Sequence, residues 1–171
     1  MTDRLVLEPL IPVHAPALAA LHKNPSVMHH LGGAWDRDQA DGWLNEKLDH
    51  WKDNGFGHYL LRYKETNEPI GRAGVRLLNV NGQNETELGY VLEPSSWGRG
   101  LAVEAGMAVC AWTFANVVSI NSIIVLMKVE HSASRRVAEK LGGSYERDIL
   151  HADPFAEMSS PHALYRIPRR H

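Results

Sequence analysis

The stretch Glu87-Leu-Gly-Tyr-Val-Leu-Glu-Pro-Ser-Ser-Trp-Gly-Arg-Gly-Leu-Ala102 constrains this chain more than any other. It reads as a β-strand, a glycine-rich turn and the first turn of a helix. The N-terminus of a helix carries N–H groups without intrahelical acceptors and a partial positive charge, so it attracts anions. Gly98 and Gly100 let the backbone approach such an anion closely and take up dihedrals that other residues avoid. A strand, this turn and a helix in that order outline a phosphate cradle.

The elements on either side predict an α/β fold around a mixed sheet. Leu5 to Pro9 is a short β-prone run. Apolar residues at helical spacing predict helices over Val13 to Leu21 and Ser26 to Leu31. A third, capped by Asp36 or Asp38, runs to about Asp53 with Ala40, Trp43, Leu44, Leu48 and Trp51 inward. Three strands follow, His58 to Tyr63, Ile70 to Leu78 and Glu85 to Leu92. The turn Asn79 to Asn84 contains Asn81-Gly82, a strong hairpin signal, so these strands form an antiparallel meander. Leu101 to Asn116 is a helix apolar nearly all round, which predicts burial against the sheet. Ser122 to Val129 is a β-branched strand, and the strand-helix-strand order predicts a right-handed parallel crossover. A helix from His131 to Leu141 and strands over Tyr145 to Leu150 and Ala163 to Ile167 complete the chain.

Composition narrows the classes of function. The 171 residues suit a single domain over 1–171. The 18 basic and 20 acidic residues show no basic block of the kind that binds nucleic acid. No apolar run reaches the ~20 residues that span a bilayer, and no signal-peptide pattern opens the chain. With Cys110 the only cysteine, an internal disulfide is excluded, and a cytoplasmic location is the expectation. Cys110 lies on an apolar helix face and reads as a small hydrophobe. The pair His29-His30, with His58, lacks the spacing of metal ligands, so no metal is expected. Trp35, Trp43 and Trp51 suit either an acceptor pocket or, for the last two, core packing.

Trp97-Gly-Arg-Gly-Leu-Ala102, followed about thirty residues later by His131-Ser-Ala-Ser-Arg-Arg-Val-Ala-Glu-Lys-Leu-Gly142, resembles the GNAT N-acetyltransferase superfamily. More narrowly, it is similar to the ribosomal-protein N-terminal acetyltransferase (RimJ/RimL-like) branch. The opening Arg4-Leu-Val-Leu, Asn24-Pro-Ser-Val-Met and Glu87-Leu-Gly-Tyr90 stand in the expected order, so the resemblance covers nearly the whole chain. It implies a GNAT fold, a mixed, mostly antiparallel sheet of six or seven strands, splayed at its centre and flanked by helices. It implies acetyl-CoA as co-substrate and a primary amine as acceptor, either a protein N-terminus or a small molecule. The coenzyme's pyrophosphate would take the turn and helix start, Gly98, Arg99, Gly100, Leu101, Ala102 and Val103. Its pantetheine arm would lie along Tyr90, Val91, Leu92 and Glu93. Homodimers are common in that branch.

Three positions depart from the family pattern. Trp97 stands where many members have Gln or Arg, which backbone phosphate binding tolerates. His131 replaces an Asn that contacts the coenzyme, and an imidazole can still donate one hydrogen bond and accept another. Ala138 replaces a Tyr that protonates the leaving thiolate in several branches. The resemblance makes Ser134 the partner of the coenzyme sulfur instead.

Acetyl transfer to an amine requires a deprotonated amine, a polarised carbonyl and a stabilised thiolate. Strand alternation puts Glu85, Glu87, Gly89 and Val91 on one face, with Glu87 the candidate base acting through water. The oxyanion would meet a backbone N–H near Val91 or Leu92. Arg135 and Arg136 suit either the coenzyme's 3′-phosphate or a wet helix face. The rival expectation is an acyl-CoA-binding regulatory domain without catalysis, motivated by His131 and Ala138. A third is an acyltransferase for longer acyl chains.

Overall fold

The computed structural model describes residues 1–152 and 158–169. Residues 153–157, between His151 and Pro161, and residues 170–171 lie outside the described residues. The chain folds into a seven-stranded sheet of order β1-β2-β3-β4-β5-β7-β6. The strands are β1 (Leu5–Pro9), β2 (His58–Tyr63), β3 (Pro69–Val80), β4 (Gln83–Leu92), β5 (Ser122–Lys128), β6 (Ser144–His151) and β7 (Ser160–Pro168). The helices are α1 (Ala15–Lys23), α2 (Pro25–Met28), α3 (Arg37–Asn54), α4 (Leu101–Asn116) and α5 (Ser132–Lys140). This is the mixed, mostly antiparallel, helix-flanked sheet that the resemblance implies.

Local chemistry sets the boundaries. Asp36 caps α3, its carboxylate accepting from Gln39 N–H while the Gln39 side chain accepts from Asp36 N–H, a reciprocal capping box. Asn81 and Gly82 both have positive φ and form the whole β3-β4 loop, so that turn is two residues rather than the six expected. The short second helix begins at Pro25, capped by the Asn24 side chain on Ser26 N–H, and ends at Met28.

Two cores sandwich the sheet. On one face α4 and α5 cover Leu61, Val75, Leu88, Leu92, Ile123 and Val125. On the other, α1 to α3 bring Leu18, Leu21, Trp43 and Leu44 onto Leu60 and Val91. Helix α4 departs from burial all round, since Met107 is 53% and Trp112 39% exposed. Its Ala105, Val109 and Cys110 side packs on the sheet, and the opposite side has no covering element among the described residues.

The two halves of the sheet meet at one parallel pair, Glu87 opposite Ile124. Beyond it β4 and β5 diverge and make no further ladder pairs. The gap opens beside Tyr90 to Leu92, at the start of the glycine turn. Both helical layers border it.

Candidate active site

The divergence opens a cleft enclosing about 1090 Å³. One half is walled by the glycine turn, the start of α4 and the start of α5. The other is walled by α2, α3 and the exposed face of β3 and β4. Of the residues singled out from the sequence, Glu87, Tyr90 to Leu92, Gly98, Gly100 to Val103, His131 and Ser134 line this cleft, whereas Glu93, Arg99 and Arg135 do not.

Glu93 N–H donates to Ile70 C=O at 2.8 Å, which fixes the direction of alternate amides along β4. Val91 N–H turns the same way, toward β3, and Tyr90 and Leu92 N–H turn toward the gap. Of the two residues expected to supply a free N–H at the splay, the geometry selects Leu92. The Trp97 indole N–H donates to Leu92 C=O at 2.8 Å, tying the end of β4 to the turn. This gives Trp97 a structural task at a position where the resemblance assigns Gln or Arg.

The cradle itself is open. Gly98 and Gly100 sit at φ 72° and 76°, and a Cβ at Gly98 would meet nothing within 4 Å. Glu104 N–H to Gly100 C=O is the first bond of α4, so Leu101, Ala102 and Val103 N–H have no acceptor within the helix. The Arg99 side chain lies 5.0 Å above the Tyr63 ring, so it is the Arg99 backbone that belongs to the cradle. Arg4, part of the opening segment of the resemblance, has a role there that spacing does not reveal: its Nη1 donates to Arg99 C=O at 2.9 Å. Arg4 is itself held by Glu104 at 2.7 Å, and the pair braces the turn against β1.

At the start of α5, Ser134 is buried and its Oγ lies 2.8 Å from the Tyr90 hydroxyl, which also lies 3.1 Å from Ser134 C=O. This pair crosses the splay. Burial pushes the Tyr90 phenol up to about 12, against the opposing effect of its bond to Ser134, so it stays protonated at neutral pH. The phenol missing at Ala138 is thus present in the cleft, carried by a strand. A sequence reading that assigned Tyr90 through its backbone had no signal for this. His131 stacks on His30, ring centroids 3.8 Å apart and planes within 18°. Burial, with His30 beside it, lowers His131 to about 4, so it lines the cleft as a neutral imidazole. Arg136 also lines the cleft, on the α5 side.

On the opposite face Glu87 pairs with Arg76, Nε to Oε2 at 2.5 Å, on the adjacent strand. Between them and the gap lies a floor without side chains, since Gly74 and Gly89 are cross-strand partners. The β2 backbone runs directly against Gly74, where a Cβ would stand 2.2 Å from His58 Cα. The His58 ring therefore reaches across to β4, its Cε1 3.5 Å from the place of a Gly89 Cβ. Burial, then Arg72, Lys47 and Arg76, keep His58 well below its ordinary value and neutral. His58 is a cleft residue that its sequence context did not single out for catalysis. Cys110 lies away from the cleft, its thiol pushed up to about 12 by burial.

The same burial predicts acid sensitivity. His22, fully buried, is lowered to about 2 by burial and then by Arg72, whose Nε donates to His22 Nε2 at 2.8 Å. A His in the unfolded chain takes up its proton near 6.5. Below that pH the unfolded state binds more protons than the folded one, and stability falls with pH. From His22 alone the loss reaches about 2 kcal/mol by pH 5. Urea unfolding at pH 7 and pH 5 should show at least this drop, and His22→Gln should remove its share. An unchanged slope in that variant would refute the assignment.

Comparison with known proteins identifies the architecture. The model of the acetyltransferase (GNAT) domain family matches residues 4–144. The chain belongs to the GNAT acetyltransferase family. Bacillus subtilis YkkB is 30% identical over 135 residues, covering 79% of this chain and 78% of that protein. The crystal structure of an acetyltransferase from Agrobacterium tumefaciens superposes with a TM-score of 0.81 at 27% identity, covering 99% of this chain and 93% of that one. RimL, a ribosomal L7/L12 α-N-protein acetyltransferase solved with coenzyme A, shares the fold at 19% identity, with a TM-score of 0.80 and coverage of 98% and 95%. As a GNAT enzyme the protein is an acetyltransferase, of a family that uses acetyl-CoA.

Proposed function

We propose that this GNAT enzyme transfers an acetyl group from acetyl-CoA directly to a primary amine, of a small molecule or a peptide N-terminus. The observation that carries the reading is the junction of an unpaired strand edge and an open glycine cradle, with Ser134 and Tyr90 across the gap. Coenzyme A in the RimL structure, on the same fold, supports the choice of coenzyme. The RimJ/RimL-like branch remains part of the proposal, with the shared element order as its support.

The chain's features fit the coenzyme. Gly98 to Val103 would take its pyrophosphate on backbone N–H groups. Tyr90 to Glu93 would pair with its pantetheine arm, and His131 would contact it from α5. When bound, acetyl-CoA supplies an acyl carbon activated as a thioester. The residues of the chain do the rest. Glu87, through water, accepts the proton that the amine must lose before its lone pair can attack. Leu92 N–H faces the place where negative charge grows on the carbonyl oxygen. The carbon–sulfur bond breaks as the carbon–nitrogen bond forms. Ser134 Oγ–H donates toward the departing sulfur, with the Tyr90 hydroxyl donating to Ser134 Oγ behind it. The Ser134 hydroxyl is bonded to the Tyr90 phenol rather than to a base, which favours direct transfer over a covalent enzyme intermediate.

Ser134→Ala and Tyr90→Phe should each lower kcat about 10- to 100-fold while leaving coenzyme affinity near wild type. The double variant should lose little more than the worse single one, since the pair acts as a unit. Additive losses would mean that the two hydroxyls act separately. The reading as a whole is tested by thiol release from acetyl-CoA over a panel of amines, amino acids and peptides, repeated with succinyl-CoA and longer acyl-CoAs. Turnover with an amine upholds it. Tight coenzyme binding without turnover on any amine overturns it in favour of a regulatory domain.

A further inference from the structure

The acceptor half of the cleft holds an excess of buried positive charge. Lys47 on α3 is 2% exposed and Arg72 on β3 is 6% exposed, and both line the cleft with Arg76. Among the described residues one buried carboxylate stands against these three cations, Glu87, already bound to Arg76. Lys47 meets Glu46 at 2.5 Å, and that carboxylate is 64% exposed on the outer surface. Among the described residues Arg72 makes no ion pair with a carboxylate, and Glu87, bound to Arg76, acts on it only at longer range. The Arg72 Nε donates to the neutral His22 imidazole, and its guanidinium lies 4.2 Å above the Trp43 ring. Among the described residues the Arg72 side chain makes no other hydrogen bond.

Buried charge is costly unless paired, and a guanidinium offers five donors in a plane that fits the two oxygens of a carboxylate. The Arg72 guanidinium lies over Trp43 and His22 uses only Nε, so among the described residues the Nη groups are left without an acceptor. Burial, and next Arg76, bring Arg72 down to about 9, which marks a site that an anion would relieve. The placement suits a substrate. Arg72 is the cross-strand partner of Val91, beside the gap, and Gly74 and Gly89 leave the sheet bare between it and Glu87. His58 Nδ1 on the same wall is buried without a hydrogen-bond partner.

We propose that the acceptor is a small amine that also carries a carboxylate, bound by Arg72 with Lys47 while its amine faces the gap. This rests on the acetyltransferase reading above and narrows its acceptor. It gives the cations a counter-charge that the described residues do not supply, and it disfavours polyamines, whose cations would be repelled from this wall.

The test compares amino acids with their amides. The two differ in the carboxylate, and the amide is the more easily deprotonated amine, so that bias runs against the proposal. Thiol release should favour the acid in kcat/KM by about 30-fold or more. Arg72→Gln should shrink that ratio to about 3-fold or less. Lys47→Met, which places an apolar side chain of similar length in a buried site, should narrow it too. A peptide amide with an N-terminal Asp or Glu, against the Asn or Gln peptide, separates a side-chain carboxylate on a peptide from that of a free amino acid. A peptide acetylated better than any free amino acid overturns the small-molecule assignment. A second readout needs no turnover. With coenzyme A present, short carboxylates from acetate to hexanoate should raise the Tm of the wild type but not of Arg72→Gln, and the matching amides should raise neither. Amides acetylated as well as acids, or no Tm response to carboxylates, overturn this proposal and leave the acetyltransferase reading intact. No turnover with any amine overturns both.

Discussion

Gly100→Val is expected to weaken acetyl-CoA binding by about 100-fold or more, measured by isothermal titration. Two effects act together. Gly100 caps α4 at φ 76°, and a β-branched residue in that left-handed conformation carries strain of order 1–3 kcal/mol. Relief of that strain would move the turn away from the geometry that aims Leu101 to Val103 N–H at a single point. The new side chain would also project beside the cradle, toward Arg4, whose Nη2 would lie 3.8 Å from its Cβ. Loss of about 3 kcal/mol of binding corresponds to the stated factor. Gly98→Ala, where the Cβ would meet nothing within 4 Å, should have a smaller effect. The Tm of each free variant separates a folding defect from a binding defect. Affinity unchanged in a folded Gly100→Val protein would remove the pyrophosphate from this turn.

Glu87→Gln is expected to lower kcat by about 100-fold or more, with coenzyme affinity preserved. The loss should be greatest at low pH, where the acceptor is held as ammonium and depends on the enzyme to take its proton. It should shrink at high pH, where free amine is abundant. The substitution keeps an oxygen for Arg76 but removes its counter-charge, and breaking a buried pair typically costs about 3–5 kcal/mol. Stability should therefore be measured alongside the pH–rate profile. A profile parallel to wild type would remove Glu87 as the base. His58, whose ring reaches β4 at Gly89, is then the next group to replace.

Much of the fold was legible because its signals are local. The helical spacing of α3, the glycine turn and the unbroken apolar run of α4 each specify an element through a few neighbouring residues. Helix α4 was read over Leu101 to Asn116, the same bounds that it takes in the structure. Its predicted burial on all sides was wrong for Met107 and Trp112, because periodicity reports apolarity and not which neighbours arrive to cover it. Glu87 was placed on the correct strand face by simple alternation, but its partner Arg76 comes from another strand and depends on register. Tyr90 illustrates the same limit. Its backbone role followed from its place in the motif, whereas its hydroxyl reaches Ser134, 44 residues away, only because the sheet splays there.

What the sequence determined by itself, then, is the order and type of elements, the strand-turn-helix cradle and the family to which the chain belongs. These rest on short-range dihedral preferences and on spacing along one chain. The tertiary structure decided which groups face one another across the gap. It turned the Leu92 amide toward the splay, brought the Tyr90 phenol to Ser134, laid Arg99 on Tyr63, and gathered Arg72, Lys47 and His58 on one wall. The physical reason is that burial and electrostatics depend on residues distant in sequence. An arginine reads as a surface charge until the fold shows that it is enclosed and bonded to a neutral imidazole.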